Sequence, residues 1–385
     1  MSFASSSGVT PQLVSDYSTT NKSKLVIGNL SIKIENPSGE EALTEFILFQ
    51  NRVYEYRSAR WAAAAAVQIP VLSGDGPFAA DRIIRPFTAR IDGRLVARAA
   101  AIIDRRYQRH WNEALGHIVM FEAMPGTGES VIAMLDQASE WLKGQGAIAA
   151  RAGYGLLEFP FVIDDYESLP PDIARQNPSY YHALLKNAGF ETEQGWVDYK
   201  IAVTPELIAR YENALAACRA AGFEIVALKD LPASRRLRDF ESTWNNAFAR
   251  HWGATPFTTE ELAYLFEFFA MTGALETSVL AYRDGQPVGA LMVTPPNSAG
   301  AILKAGRKLN DREKLNFLGI GVLEKARGQG VNLGMAAYSY LNLIKKGSKY
   351  LSYTLVLDDN WPSRRTAEKL GAKVCANYIT YRRNF

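Results

Sequence analysis

The 385 residues hold two cysteines, four histidines and a formal net charge of +3. Each scarcity excludes a class of function. Cys218 and Cys375 lie far apart, without CxxC spacing and among apolar neighbours, which predicts small buried side chains rather than a reactive pair. Such usage fits a reducing compartment. His110, His117, His182 and His251 form no HExxH or other ligand spacing, so no metal site is expected. The weak charge, with no Lys/Arg run interleaved with aromatics, argues against a nucleic-acid partner. No apolar run reaches membrane-spanning length. The Ala62–Ala66 run is short and flanked by Arg57, Arg60 and Gln68. Residues 1–22 are rich in Ser, Thr, Asn and Gln and lack a charged start followed by an apolar core, which predicts a flexible tail rather than a signal peptide. A soluble, cytoplasmic protein of ordinary globular composition is expected, 48% hydrophobic and 22% charged. Its length exceeds one ordinary core and predicts two domains.

The pattern of elements repeats. In the first half, residues 24–34 read as a strand and 40–57 as a helix with an Ala-rich helical stretch after it. Asp92-Gly93 between two β-favouring runs marks a hairpin over 84–103. A strand over 117–124, the turn Pro125-Gly126-Thr127-Gly128 and an amphipathic helix over 130–143 follow. Then come a short strand at 147–152, a long loop, a helix opened by Asn177-Pro178 and a closing strand over 196–203. Thr204-Pro205 reads as a cap and first-turn proline of a bridging helix. The second half runs strand, two helices, a hairpin at Asp284-Gly285, a strand over 318–323, a helix over 333–346, a strand over 350–357, a helix over 363–370 and a last strand. ARIDGRLVA at Ala89–Ala97 matches AYRDGQPVG at Ala281–Gly289. LGHIVMFEAMPGTGES at Leu115–Ser130 matches LGIGVLEKARGQGVN at Leu318–Asn332. NPSYYHALLKNAGF at Asn177–Phe190 matches NWPSRRTAEKLGA at Asn360–Ala372. Three matches in one order predict an internal duplication.

The most informative stretch is LGIGVLEKARGQGVNLG, Leu318 to Gly334. A glycine-rich turn between a buried strand and a helix N-terminus directs several N–H groups and the positive end of the helix dipole outward, which suits a pyrophosphate. Gly328 and Gly330 allow close backbone approach. A dinucleotide turn would require glycine where Leu333 stands, and a nucleotide-triphosphate loop would require Lys-Ser/Thr after the second glycine. A turn that holds nothing is the alternative reading of this stretch alone. The stretch resembles the acyl-CoA turn of the GNAT acyltransferase superfamily, Gln/Arg-x-x-Gly-x-Gly/Ala. Arg327 and Gly330 match, while Asn332 stands at the Gly/Ala position. Asn360 with Glu368-Lys369-Leu370-Gly371 resembles the later GNAT segment, and the order of elements in both halves resembles a tandem GNAT protein.

The resemblance implies an α/β fold of two tandem GNAT units: a degenerate unit at 23–204 and an acyl-CoA-binding unit at 205–385. It implies acetyl-CoA, or another acyl-CoA, in a V-shaped gap between the strands at 318–323 and 350–357. The backbone of Ile320, Gly321 and Val322 would pair with the pantetheine arm. Arg327 belongs to the same turn. The amides of Gly328, Gln329, Gly330, Val331, Asn332 and Gly334 would hold the pyrophosphate, and Asn360 would meet the pantetheine. An N-cap role for Asn360 is the alternative. In the first half, Pro125 and Glu129 replace Arg327 and Val331. The first removes a donor and the second repels a phosphate.

The implied activity is N-acyl transfer, with acetyl as the expected group and a small-molecule amine as acceptor, in a monomer or homodimer. The alternatives are an acyl-CoA sensor without catalysis and a transferase using a longer acyl or an aminoacyl donor. The family's usual acid, a tyrosine, is replaced by Ala367, with Leu185 at the equivalent first-half position. Tyr353 and Tyr381 are substitutes to consider, as are Asp358 and Asp359 for a base; packing and a pre-helix turn are the competing roles. Trp244, Phe248, His251, Trp252, Phe257, Tyr264, Phe266, Phe268 and Phe269 form an aromatic segment where the acceptor pocket is expected; core packing, with His251 a satisfied histidine, is the competing reading.

Overall fold

The computed structural model describes residues 31–385 except 157, 172–173 and 297–299. The expected tail and most of the strand expected at 24–34 lie outside these residues. The first half contains β1 (Ile32–Glu35), α1 (Glu40–Val53), β2 (Ala59–Trp61), α2 (Ala65–Leu72), β3 (Arg82–Ile91) and β4 (Arg94–Asp104). It continues with α3 (Arg105–Trp111), β5 (Leu115–Ala123), α4 (Gly128–Gly144), β6 (Ala149–Ala152), β7 (Phe161–Val162), α5 (Tyr181–Asn187) and β8 (Glu191–Ala202). The β3–β4 hairpin turns at Asp92 and Gly93, both left-handed at φ 49° and 79°, as a tight hairpin requires. In α4 the expected face of Val131, Met134, Leu135, Ala138 and Leu142 is buried. Helix α3 was not foreseen. Asp104 starts it by accepting from the N–H groups of Arg106 and Tyr107.

The second half contains α6 (Pro205–Ala220), β9 (Glu224–Ala227), α7 (Ala233–Ala247), α8 (Thr259–Thr272), α9 (Ala274–Thr277), β10 (Val279–Arg283) and β11 (Gln286–Val293). It ends with β12 (Ala301–Leu303), β13 (Leu318–Val322), α10 (Val331–Lys345), β14 (Tyr350–Leu357), α11 (Trp361–Lys369) and β15 (Lys373–Asn384). Thr204 caps α6 through the N–H of Leu207, with Pro205 in the first turn, as its sequence predicts.

The sheets explain how the halves join. Nine strands form one sheet, ordered β1-β3-β4-β5-β6-β15-β8-β14 with β7 also on β15. The last strands are exchanged: β15 of the second half pairs with β6 of the first, and β8 of the first half pairs with β14 of the second. The two exchanged strands pair with each other in the middle. In the first half the sheet continues from β6 into β5 by a parallel ladder, Leu115 to Ile118 against Ala149 to Ala152. In the second half it stops at β14. Strand β13 is instead the edge of a separate four-stranded sheet, β13-β11-β10-β9.

Further ties cross between the halves. Strands β12 and β2 pair. At the start of α8, buried Glu261 bonds the N–H of its cap residue Thr258 and also receives Arg82 at 2.7 Å and Arg106 at 2.9 Å from the first half. Arg82 is shared with Asp104 at 2.8 Å. A single buried carboxylate between two guanidinium groups fixes α8 against the first half, because each charge would be costly to bury alone.

Candidate functional site

Strands β13 and β14 meet at one end and separate toward the other. At the closed end, Thr354 Oγ1 accepts from the N–H of Leu318 at 2.7 Å and donates to its carbonyl at 2.9 Å. Asn316 similarly bridges the N–H and carbonyl of Ser352. On the other side of β13, the carbonyl of Phe317 accepts from Thr294 and the N–H of Leu323 donates to Val288. Odd-numbered residues of β13 therefore spend their backbone groups on β11. The alternation of a strand turns those of Leu318, Ile320 and Val322 toward β14. Leu318 is satisfied by Thr354. Beyond it, Ile320 and Val322 face the gap between the two strands. Gly319 and Gly321 turn their Cα atoms to α7, where an added Cβ would lie 2.7 Å from Trp244 and 2.6 Å from Phe248. Their glycine character serves close helix–strand packing.

The glycine turn sits at the wide end of the gap. Gly328 and Gly330 have φ of 77° and 83°, and nothing lies within 4 Å of where a Cβ would stand on either. Among the described residues, no hydrogen bond uses the N–H groups of Gly328 to Asn332. Side chains here are partly committed: Arg327 Nε donates to the carbonyl of Val322 at 3.1 Å, and Gln329 donates to Lys325 and accepts from Arg283. Val331 is buried. Asn332 donates to Thr366 at 3.0 Å, joining α10 to α11. Gly334 behaves differently from the expectation. Its N–H donates to Gly330, and its Cα packs against Cys218 of α6, where a Cβ would be 2.4 Å from the sulfur. Asn360 performs the N-cap role, accepting from Ser363 N–H at 3.2 Å, and it also borders the cleft.

The narrow end of the gap opens into a cleft of about 940 Å³ between the two halves. From the second half come Trp244, Phe248, Phe257, Tyr264, Phe268 and Phe269, and from the first half Trp61, Met120, Tyr154, Leu156 and Phe159. Phe159 meets Phe317 at 5.1 Å between ring centres. Of the expected aromatic segment, Phe266 is core and Trp252 stacks under the Arg151 guanidinium, 4.1 Å away.

Polar side chains on the second-half wall include His251, Tyr353, Glu261 and Glu267. His251 borders the cleft between Phe248 and Trp196. Burial pulls its pKa below the usual histidine range, only partly offset by the Trp252 backbone, so the ring is neutral at neutral pH. Tyr353 also borders the cleft, with its hydroxyl 3.0 Å from Ser363 Oγ. Burial pushes it up to about 12 despite that hydrogen bond, so it stays protonated. Tyr381 is elsewhere, in the first-half core with its hydroxyl 2.7 Å from His182. Asp358 and Asp359 are exposed, and Asp358 accepts from Gln194 at 2.9 Å.

The equivalent gap of the first half lies between β5 and the chain after β6, and it is filled by the protein's own side chains. Glu158 accepts from the N–H of Met120. Arg175 donates to the carbonyl of Phe121 and to Glu158. The Tyr181 hydroxyl receives the N–H of Ala123 at 2.8 Å, and the Tyr180 hydroxyl donates to the carbonyl of Ala123 at 2.8 Å. Buried Glu122 accepts from Tyr54 and Tyr181 at 2.8 and 2.7 Å. Burial raises its pKa, opposed by Arg175 and Arg98. Sequence reasoning missed these residues. Glu122 inside the apolar run IVMFEAM and Arg175-Gln176 before the Asn-Pro helix start were the available signals.

No family model matches the sequence. Protein YghO of Escherichia coli (strain K12) is 21% identical over 234 residues, a match covering 60% of this chain and 60% of YghO; the match thus spans less than two thirds of that relative. Among solved structures, a tandem GNAT protein from the clavulanic acid biosynthesis pathway superposes with a TM-score of 0.54 at 13% identity, covering 92% of this chain and 98% of that one. A GCN5-related N-acetyltransferase from Sphaerobacter thermophilus gives 0.52 at 14% identity, covering 92% and 95%. The glucosamine N-acetyltransferase region of a fungal multi-domain β-N-acetylglucosaminidase gives 0.58 at 14%, covering 92% of this chain and 38% of that one. With its duplicated order of elements, its splayed β13–β14 pair and the glycine turn before α10, the chain has the tandem fold of the GNAT superfamily.

Proposed function

We propose that the protein is an acyl-CoA-dependent N-acyltransferase. In this reading residues 205–385 bind the donor, and residues 23–204 are a degenerate copy that walls the acceptor cleft. The observation that carries it is one continuous path. Amides at Gly328 to Asn332 that no hydrogen bond uses among the described residues follow strand β13, whose Val322 carbonyl is held by the Arg327 side chain and whose unpaired Ile320 lines a cleft that also holds a neutral histidine. The amides and the α10 dipole suit a pyrophosphate. The strand edge suits the amides of a pantetheine arm, and Asn360, whose side-chain oxygen caps α11, has no hydrogen-bond partner for its side-chain N–H groups among the described residues.

The chemistry follows from the polar groups on the cleft. The acceptor's neutral amine attacks the thioester carbonyl, and His251 takes the proton that the nitrogen sheds as the C–N bond forms. The C–S bond breaks, and that proton is passed on to the departing thiolate, with the Tyr353 hydroxyl on the strand lining the cleft as the donor that hands it over and is reprotonated in turn. The family tyrosine has no counterpart, since Ala367 is wholly buried.

The size of the cleft bears on the substrates. About 940 Å³ lies at the upper end for ligand sites, and its walls are mostly aromatic and aliphatic. An acetyl group and a small amine would leave most of it wet. This favours a longer apolar acyl chain on the donor, or an apolar body on the acceptor, over the acetyl transfer expected from the sequence. The test is to titrate the protein with CoA, acetyl-CoA and medium- and long-chain acyl-CoAs, then follow CoA release over a panel of amines. Tighter binding and faster release with longer chains is expected. His251→Asn should lower kcat by about a hundredfold or more while CoA affinity stays unchanged. Absence of CoA binding would remove the proposal, and binding without release on any amine would leave a sensor.

A further inference from the structure

The first-half end of the cleft carries polar groups that the protein itself does not satisfy. Gln176 is 5% exposed and borders the cleft, yet among the described residues neither its Nε2 nor its Oε1 has a hydrogen-bond partner. A buried amide with both ends unpaired is rare in folded proteins. Arg98, 1% exposed, stands on the same wall. It donates to the carbonyls of Phe46 and Ile47 and to Gln50 at 2.7, 3.0 and 3.3 Å. No carboxylate pairs with it among the described residues, although Glu122 is its cross-strand neighbour. Its Nε is unpaired, as are Arg175 Nε and Trp61 Nε1.

These unpaired groups are mostly donors. Arg98, Arg175, Trp61 and Gln176 offer N–H groups, against the carbonyl oxygens of Gln176 and Gln68. These atoms are all but closed off from solvent, so water standing in the cleft does not satisfy them as they lie, and a purely apolar ligand leaves them unpaired. A bare ammonium brings only donors: it can serve the oxygens of Gln176 and Gln68 but leaves the N–H groups of Arg98, Arg175, Trp61 and Gln176 unpaired. We infer that this wall is the head-group site of the acceptor: Gln176, with Arg98 and Arg175 beside it, takes a hydrogen-bond-accepting oxygen carried next to the acceptor's amine. The acceptor is then an amphiphile whose head bears an amine and a neighbouring hydroxyl, carbonyl or carboxylate. Its body lies among the aromatic side chains of the cleft. The inference rests on the acceptor reading of the cleft given above.

The test compares decylamine with its amino-alcohol and α-amino acid analogues of equal chain length. Binding to the full-length protein in the presence of CoA is measured by calorimetry, and CoA release from an acyl-CoA is followed separately. The wild type should bind at least one oxygen-bearing analogue about tenfold or more tighter than decylamine. Gln176→Leu should lose that preference and keep its affinity for decylamine and its melting temperature. Preference for the amino acid alone, lost at high salt, would identify a carboxylate; equal preference for the alcohol would identify a neutral oxygen. Equal binding of all three amines by the wild type, or an equal loss for all three in Gln176→Leu, would overturn the inference. So would failure of any of them to bind. Binding with the expected preference but without CoA release would leave the head-group site standing and count only against the acyl-transfer reading.

Discussion

The two halves contain the same gap, once filled and once open. Strands β5 and β6 are zipped by a parallel ladder over Leu115 to Ile118, and where they part, Glu158, Arg175, Tyr180 and Tyr181 occupy the backbone groups of β5. Among the described residues, strands β13 and β14 are tied through the side chains of Asn316 and Thr354 alone. Past Leu318, among the described residues, the Ile320 edge of β13 is unpaired and the Val322 carbonyl is held only by the Arg327 side chain. A strand edge left bare next to a cleft is a cost that a folded chain normally avoids. One copy has met that cost with its own side chains, and the other has kept it, as a site for an amide-bearing ligand would need. The turns at the helix starts differ in the same sense. Gly330 holds a left-handed conformation with open space beside it, whereas the first-half turn carries exposed Glu129 in the first turn of α4.

The sharpest way to break this comparison is to place a carboxylate in each turn. Gly330→Glu should reduce acyl-CoA affinity by a hundredfold or more, since it sets a negative charge and a side chain where the phosphates would sit. Gly330→Asn, which tolerates the left-handed conformation, separates that effect from backbone strain. Gly128→Glu in the first half should leave affinity unchanged. Equal losses from Gly330→Glu and Gly128→Glu would show that the copies do not differ as described.

Next in size is the filling itself. Arg175→Met removes the cation that joins Glu158, the Phe121 carbonyl and, at 3.8 Å, Glu122. It leaves two buried carboxylates without their shared partner, which costs about 3–5 kcal/mol in comparable buried pairs. A marked fall in the thermal midpoint is expected, while CoA affinity in the folded protein is retained. Loss of CoA binding at a temperature where the variant is folded would mean that the first-half gap is itself the donor site.

How much of this was legible in the sequence depends on the range of the interaction. Hairpins at Asp92-Gly93 and Asp284-Gly285, the cap at Thr204 and the buried face of α4 are local, and their residues announce them. The glycine turn is local too, and its position beside a strand edge follows from the repeat. The exchange of β8 and β15 was not legible. Either strand satisfies the same alternating pattern whichever half supplies its neighbours, so the pairing is decided by tertiary geometry alone. The filling of the first gap was largely hidden: Glu122 stands out inside an apolar run, but Glu158 and Arg175 lie far from it in sequence and nothing local pairs them with it until burial brings them together. Gly334 reads as part of the phosphate turn, yet its lack of a side chain serves the approach of α10 to Cys218 on α6.

The smallest expected effect tests what the two gaps share. Each borders a strand residue in the left-handed region that is not glycine, Met120 at φ 55° and Leu355 at φ 47°. In each case a buried carboxylate accepts the strained N–H, Glu158 for Met120 and Asp198 for Leu355. Leu355 lies where the register of β14 against β8 shifts, between Tyr353 and Val356, so Asp198 fixes the stretch of strand that carries Tyr353 into the cleft. Burial lifts the Asp198 pKa to about 7, although the Leu355 N–H and the Tyr378 hydroxyl pull it down in part. Because the folded value lies above the unfolded one, the folded protein holds an extra proton between about pH 4 and pH 7. Stability from this group is therefore present at low pH and lost as pH rises through about 7, by at most roughly 4 kcal/mol. Asp198→Asn keeps an oxygen for the Leu355 N–H and removes the titration. Its melting temperature should match the wild type near pH 4 and exceed it increasingly up to pH 8, with acyl-CoA affinity unchanged. A difference that shrinks with pH would show that the carboxylate is stabilised as an anion. Strand β14 would then be pinned by charge rather than by a single neutral hydrogen bond.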